Sequence, residues 1–292
     1  MMQAIKVWLF RWYYSFISFW VWRRGSRKIA HRALTISTGS TPLRARLYAN
    51  EQGATKPLIV YFHGGGWVIG NLANYQPVCQ ELSNSTGHSV IAIEYRLAPE
   101  HPFPAAPDDC LAATRDLATR AGELAPCNGR LVIAGDSAGA NLATCTCLDI
   151  DGAARESIVG ELLIYPATDH YTAGFGSYVE KASSQALTTG LMHWFWDTYL
   201  ADLPAEAPAA QRAFPQRSGE LSSLPPTFLV TAENDPLRDE GKAYAGQLQQ
   251  AGVPVSLHHF DNADHGFACS EGPTADFRLL MAQITAWLEQ LK

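Results

Sequence analysis

From residue 31 onward the chain alternates between two hydrophobic periods. Nearly continuous apolar runs at 58–62 (LIVYF), 89–95 and 130–134 (RLVIA) predict strands buried on both faces, as in the middle of a parallel sheet. Further strands are expected at 33–37, 43–49, 161–165, 227–232 and 255–260, with Gly39 available to turn between the first two. Apolar residues at helical spacing occupy 108–121, 140–148, 239–251 and 274–291. Strand and helix in repetition predict the α/β class: a mostly parallel central sheet flanked by helices.

Two stretches break this alternation. Residues 169–224 separate two strands by far more than an ordinary connection, with a helix-like aromatic run at 191–200 and an Ala/Pro-rich continuation. An insertion of that size is expected to be a lid, a binding element or disordered. Residues 7–22, VWLFRWYYSFISFWVW, hold nine aromatic residues and one charge, and run into Arg23, Arg24, Arg27 and Lys28. Arg11, Ser15 and Ser18 recur at i, i+4 and i+7, a narrow polar stripe on a helix otherwise apolar almost all round. A spanning helix needs about 20 apolar residues, which this segment does not reach. A cleaved leader would want a small-residue site after the apolar run, where Trp22 is followed by Arg-Arg. Two readings stay open: a helix packed on its own domain, and a basic aromatic helix lying at a membrane surface through residues 7–28.

Composition narrows the class. With 292 residues, 47% of them hydrophobic, the chain has ample material for a large core and is neither disordered nor fibrous. The net charge of −6 is uneven: the first 50 residues carry nine Lys or Arg and no acid, leaving 13 basic against 28 acidic side chains in the rest. That balance argues against nucleic acid as a partner of the main body. Cys79, Cys110, Cys127, Cys145, Cys147 and Cys269 lack C-x-x-C spacing, so neither a disulfide framework nor a zinc site is expected. Such cysteine usage fits a reducing, cytoplasmic compartment, and the membrane reading would set the protein against the inner face of the bilayer.

The chemistry gathers at strand ends. Gly135-x-Ser137-x-Gly139 sits where an apolar strand meets a helix, a context in which a sharp turn projects the serine oxygen outward. A serine hydroxyl is a poor nucleophile at neutral pH and needs a base, itself held by a third group. His265, in Asp264-His265-Gly266-Phe267, follows the last expected strand and so lies at the same sheet edge. Between them in chain order, the loop after TFLVTA offers Glu233, Asp235 and Asp239. Asp239 is placed to cap the next helix, which leaves Asp235 as the better catalytic candidate. His63-Gly64-Gly65-Gly66-Trp67 follows another strand, and its glycines let backbone amides crowd around one developing negative oxygen, together with the amide of Ala138 after the serine. A phosphate loop is disfavoured, since neither Lys-Ser/Thr nor G-x-G-x-x-G spacing accompanies it. Arg96, Glu100 and Asp108 are expected to form a polar structural network, and Cys145 and Cys147 to pack near the core. Trp67 and Phe267, beside the reacting groups, are candidates both for substrate contact and for core.

HGGGW (63–67), EYRLAPEHPFPAAPDD (94–109), GDSAGANLA (135–143), LPPTFLVTAENDPLRDEG (224–241) and DNADHGF (261–267) together resemble the hormone-sensitive-lipase-like α/β-hydrolases in their bacterial esterase branch. The resemblance implies an α/β-hydrolase fold with a helical cap, hydrolysis of short to medium acyl esters, a small-molecule substrate, and no metal or organic cofactor. By position, Ser137 resembles the family's nucleophile, His265 its base, Asp235 its acid, and Gly65, Gly66 and Ala138 its oxyanion hole. The implied organisation is a cap from residues 1–30 and 169–215 over a core from 31–168 and 216–292, in a monomer or homodimer. Ala140 stands where the family commonly has a second glycine, and Asn262-Ala263-Asp264 replaces the family's usual G-M-x before the base. A ligand-binding protein on the same fold would be expected to have lost part of the triad, whereas Ser, Asp and His are all present here.

Overall fold

The computed structural model describes residues 7–16, 30–39, 41–270 and 274–291. Its sheet consists of β1 (Arg32–Ile36), β2 (Leu43–Tyr48), β3 (Leu58–Phe62), β4 (Val90–Ile93), β5 (Leu131–Asp136), β6 (Ile158–Ile164), β7 (Thr227–Asn234) and β8 (Val255–Asp264). The spatial order is β1-β2-β4-β3-β5-β6-β7-β8. β1 pairs antiparallel with β2, and β2 with β4, while every pairing from β4 to β8 is parallel. The mostly parallel sheet read from the sequence is therefore the observed one.

The helices are α1 (residues 7–16), α2 (Gln76–Thr86), α3 (Ala105–Leu124), α4 (Ala138–Asp149), α5 (Gly152–Glu156), α6 (Ser177–Glu180), α7 (Thr189–Leu200), α8 (Arg238–Gln250), α9 (Phe267–Ser270) and α10 (Ala275–Leu288). None is long and apolar enough to cross a membrane, among the described residues. The β3 run LIVYF is buried at every position because alternate side chains enter two cores. Leu58, Val60 and Phe62 join α3, α4 and α8 on one face, and Ile59 and Tyr61 join α2 and α10 on the other.

α2 is absent from the sequence reading. Its inward face mixes Val78, Cys79 and Leu82 with Ser83 and Thr86, so no hydrophobic stripe marks it. Its boundary signals are plain: Pro77 in the first turn and Gly87 in the left-handed conformation at the end.

The long insertion is ordered. Between β6 and β7 it carries α6, α7 and four 3-10 turns, and the Ala/Pro-rich part forms turns packed on the core. Its two ends meet: the Gln216 amide donates to the Thr168 carbonyl at 3.2 Å, and the Thr168 hydroxyl donates to Gln216 Oε1 at 2.7 Å.

α1 packs with its polar stripe inward. Arg11 donates to the carbonyls of Val68 (2.8 Å) and Ala98 (2.9 Å) and forms a two-pronged ion pair with Glu100. Ser15 lies 3.5 Å from Asn74, and Tyr14 3.3 Å from the Tyr75 hydroxyl. Ser18 and residues 17–29 lie outside the described residues. The anticipated Arg96, Glu100 and Asp108 network resolves into separate pairs: Arg96 grips Asp109, Glu100 holds Arg11, and Asp108 meets Arg212. The correction follows from burial, since Asp109 turns inward and Asp108 outward.

Candidate active site

The nucleophile candidate sits in a strained turn that two glycines make possible. Ser137 has φ 54° and ψ −120°, a conformation that L residues rarely adopt, at the junction of β5 and α4. A Cβ on Gly139 would lie 2.0 Å from the Phe62 carbonyl oxygen of β3, and one on Gly135 2.3 Å from the Gly139 carbonyl carbon. Only bare backbone lets α4 begin this close to the sheet.

The last two strands of the sheet supply the partners. β7 ends at Asn234 and presents Asp235, and β8 ends at Asp264 and presents His265. His265 Nε2 is 3.0 Å from Ser137 Oγ, and His265 Nδ1 is 2.7 Å from Asp235 Oδ2. Because a carboxylate only accepts, Nδ1 carries the proton toward Asp235 and Nε2 is left to accept from the serine hydroxyl. Asp235 is fully buried, and its other oxygen accepts the Leu237 amide at 2.8 Å. Ser137 and His265 are each under a tenth exposed, so the three groups meet in a nearly closed space.

The glycine loop lies beside the serine, at the carboxyl end of β3. From β3 the chain crosses to β4 on one side and from β4 back past β3 to β5 on the other, so the order reverses here, where an open parallel sheet leaves a crevice. The amides of Gly65, Gly66 and Ala138 have no acceptor among the described residues. Ala138 is the first residue of α4, whose leading amides and dipole favour negative charge.

Residues the sequence did not single out hold this loop. Asp136, next to the serine, accepts the Gly64 amide at 2.9 Å and the hydroxyls of Tyr61 at 2.8 Å and Tyr75 at 3.1 Å. Burial pushes its carboxyl up, and these three donors pull it back. His63 is buried, with Nδ1 2.7 Å from the Gly64 carbonyl, and burial pushes its imidazole down to about 4, so it stays neutral. The only sequence signal for Asp136 was an acid adjoining the serine at the end of an apolar strand.

The insertion covers the loop. The Phe195 ring of α7 packs on Gly66, where an added Cβ would come within 2.1 Å of it. Phe10 of α1 stacks on Phe195 at 6.3 Å and meets Trp194 edge-on at 5.8 Å. The acid loop is tied to the same insertion: the Ser177 amide donates to Asp239 (2.8 Å), its hydroxyl to the Pro236 carbonyl (2.6 Å), and Ser184 to the Asn234 carbonyl (2.8 Å). Arg238 pairs with Glu180 and Glu233, and Lys181 also with Glu233. Asp239 thus lies inside the first turn of α8 as a tie to the insertion and is not its cap; Leu237 holds that position.

Trp67 and Phe267 are both wholly buried. Trp67 stacks on Tyr199 at 4.3 Å, and Phe267 packs against Tyr165 and Phe260. Glu233 faces Arg238, Lys181 and His259, away from the triad. The six cysteines are free, and Cys145 and Cys147 are buried in α4. No cluster of metal ligands occurs among the described residues. A cavity of about 700 Å³ opens at the opposite, amino-terminal edge of the sheet between Arg130, Arg155, Val255 and Trp287, and contains none of the groups above.

A family model described as alpha/beta hydrolase fold matches residues 59–269, which hold Ser137, Asp235, His265 and the glycine loop. The chain belongs to the alpha/beta-hydrolase family. Its resemblance to the hormone-sensitive-lipase-like branch is matched by its relatives. Esterase LipI of Mycobacterium tuberculosis is 35% identical over 80% of this chain and 73% of its own length. Carboxylic ester hydrolase LipN of the same organism is 38% identical over 80% of this chain and 63% of that one. Ethyl acetate hydrolase of Pseudomonas putida is 37% identical over 82% of this chain and 75% of that one. Among solved structures, a hyperthermophilic esterase from Pyrobaculum calidifontis superposes with a TM-score of 0.89 at 35% identity, covering 97% of this chain and 90% of that one.

Proposed function

We propose that this carboxylic ester hydrolase works through an acyl-enzyme, with Ser137 as nucleophile, His265 as general base and acid, and Asp235 as the group that orients His265. The hydrogen-bonded line from Ser137 through His265 to Asp235 carries the reading. Ser137 Oγ attacks the ester carbonyl as its proton passes to His265 Nε2, and the carbonyl oxygen becomes an oxyanion. The amides of Gly65, Gly66 and Ala138 receive that charge; each donor of this kind is worth roughly 10²–10³ in turnover. His265, now protonated beside Asp235, gives its proton to the leaving alcohol. Water then enters, loses a proton to His265 and attacks the acyl carbon; the acyl–Oγ bond breaks as His265 returns the proton to Ser137 Oγ, releasing the acid and the free serine.

The substrates are small-molecule esters with short to medium acyl chains. Support comes from the Phe195 roof pressed on the glycine loop and from a relative named for ethyl acetate hydrolysis. Residues 1–30 and 169–215 are assigned to a cap over a core of 31–168 and 216–292. The stacking of Phe10 on Phe195 and the pairing of Thr168 with Gln216 at the insertion's ends support that division. Trp67 and Phe267 are given no substrate contact, since both are packed away.

Hydrolysis of a p-nitrophenyl ester series from acetate to palmitate, with Ser137→Ala beside the parent, tests the reading. Loss of about 10⁴-fold or more in kcat/KM with an unchanged melting temperature is expected. Wild-type rates from Ser137→Ala would sink the assignment.

A further inference from the structure

Of the eight large apolar side chains that the described residues leave in water, five belong to α1: Trp8, Leu9, Trp12, Tyr13 and Phe16, each at least half exposed. Positions 8, 9, 12, 13 and 16 form one continuous helical face. Together they leave on the order of 500 Å² of mostly aromatic surface in water, near the upper end for a soluble protein. The face has no freedom to roll inward. Arg11, on the reverse side, is fixed by the carbonyls of Val68 and Ala98 and by both oxygens of Glu100. The polar stripe that would ordinarily face water is thus spent on the protein, and the aromatic face is turned out.

Charge says what suits this face. The first 50 residues carry nine cations and no acid, in a chain of net charge −6. Arg23, Arg24, Arg27 and Lys28 lie outside the described residues and contribute charge within a dozen positions of Phe16. A second copy would bring nine more N-terminal cations of the same sign and no acid to neutralise them. Anionic headgroups would neutralise it, while Trp and Tyr suit the boundary between headgroup and acyl chain.

We propose that the outer face of α1 docks the enzyme on an anionic lipid surface, with Trp8, Leu9, Trp12, Tyr13 and Phe16 seated among the headgroups. Phe10, on the reverse of the same helix, touches Phe195 above Gly66. The bilayer then lies about one helix diameter, ~10 Å, from the roof of the site, and esters dissolved in it are presented to that roof.

Sedimentation of the full chain with vesicles of phosphatidylcholine plus phosphatidylglycerol, against phosphatidylcholine alone, tests this. Binding to the anionic vesicles is expected, weakened about tenfold by 0.5 M salt or by omitting phosphatidylglycerol. Trp8→Ser with Trp12→Ser is expected to weaken it at least tenfold more, with hydrolysis of soluble p-nitrophenyl acetate unchanged. Ser137→Ala protein binds like the parent, so the docking stands or falls separately from the serine mechanism. No sedimentation of the parent, or binding indifferent to the tryptophan changes, overturns the proposal. In that event a dimer dissolved by the same double substitution assigns the face to a second copy, and a lowered melting temperature assigns it to other residues of the same chain.

Discussion

Beneath the candidate site, Gly139 lies so near β3 that a single added carbon would fall 2.0 Å from the Phe62 carbonyl, and Asp136 ties the glycine loop down through three buried donors. Above it, Phe10 of α1 meets Trp194 and Phe195 of α7 through ring contacts, with centroids 5.8 and 6.3 Å apart. The floor is held by backbone packing and directional hydrogen bonds, which tolerate no change of volume or polarity. The two halves of the roof are each tied to the protein by polar contacts, α1 through Arg11 and the insertion through Ser177 and Ser184, but where they meet each other the contact is aromatic, which is broad and adjustable. The proposed chemistry rests on the first, and the cover over it is built from the second.

That contrast is open to test, most severely at the floor. Gly139→Ala is expected to cost on the order of 4 kcal/mol, enough to compromise folding, measured by urea denaturation. Next, Asp136→Ala strands the Gly64 amide and two tyrosine hydroxyls in the core. It should lower kcat by about 10²-fold with a smaller change in KM, because the oxyanion loop loosens while the substrate walls remain. At the roof, Phe195→Ala should leave kcat within a few-fold of the parent and shift the acyl-length optimum upward, with KM changing about tenfold. A roof substitution that cost as much kcat as Asp136→Ala would erase the distinction.

The smallest effect lies away from the site and depends on pH. Burial pushes the Glu161 carboxyl in β6 from its ordinary value near 4.5 up to about 7, against a pull from the Thr227 hydroxyl. With the folded value raised, the stability it contributes is complete below about 4.5 and is lost as pH rises through about 7. Glu161→Gln is therefore expected to be about 1 kcal/mol more stable than the parent at pH 8 and no more stable at pH 4.5, by thermal melts in matched buffers. His63 has the opposite sign: its folded value is lowered from 6.5 to about 4, so its contribution is lost as pH falls through that window. Because both proteins share His63, that term cancels in the comparison.

The residues of the candidate site could be picked out in the sequence because each needs a particular neighbour. Ser137 requires two glycines for its turn, and Asp235 and His265 follow recognisable apolar strands in a fixed chain order. What held them in place could not be read, because it depends on distant partners. Asp136 gave no sign that Tyr61 and Tyr75 would close on it, and Asp239 looked like a helix cap until Ser177 was seen to use it. α1 is the sharpest case. Its periodicity was clear, yet periodicity alone does not say which face of a helix turns inward, and Arg11 found three partners on the protein that reversed the usual choice.

Ser177 and Ser184 stitch the insertion to the backbone on either side of Asp235. These ties couple the insertion to the loop that carries Asp235, so the spacing of Asp235 from His265 is set in part by residues that belong to neither strand.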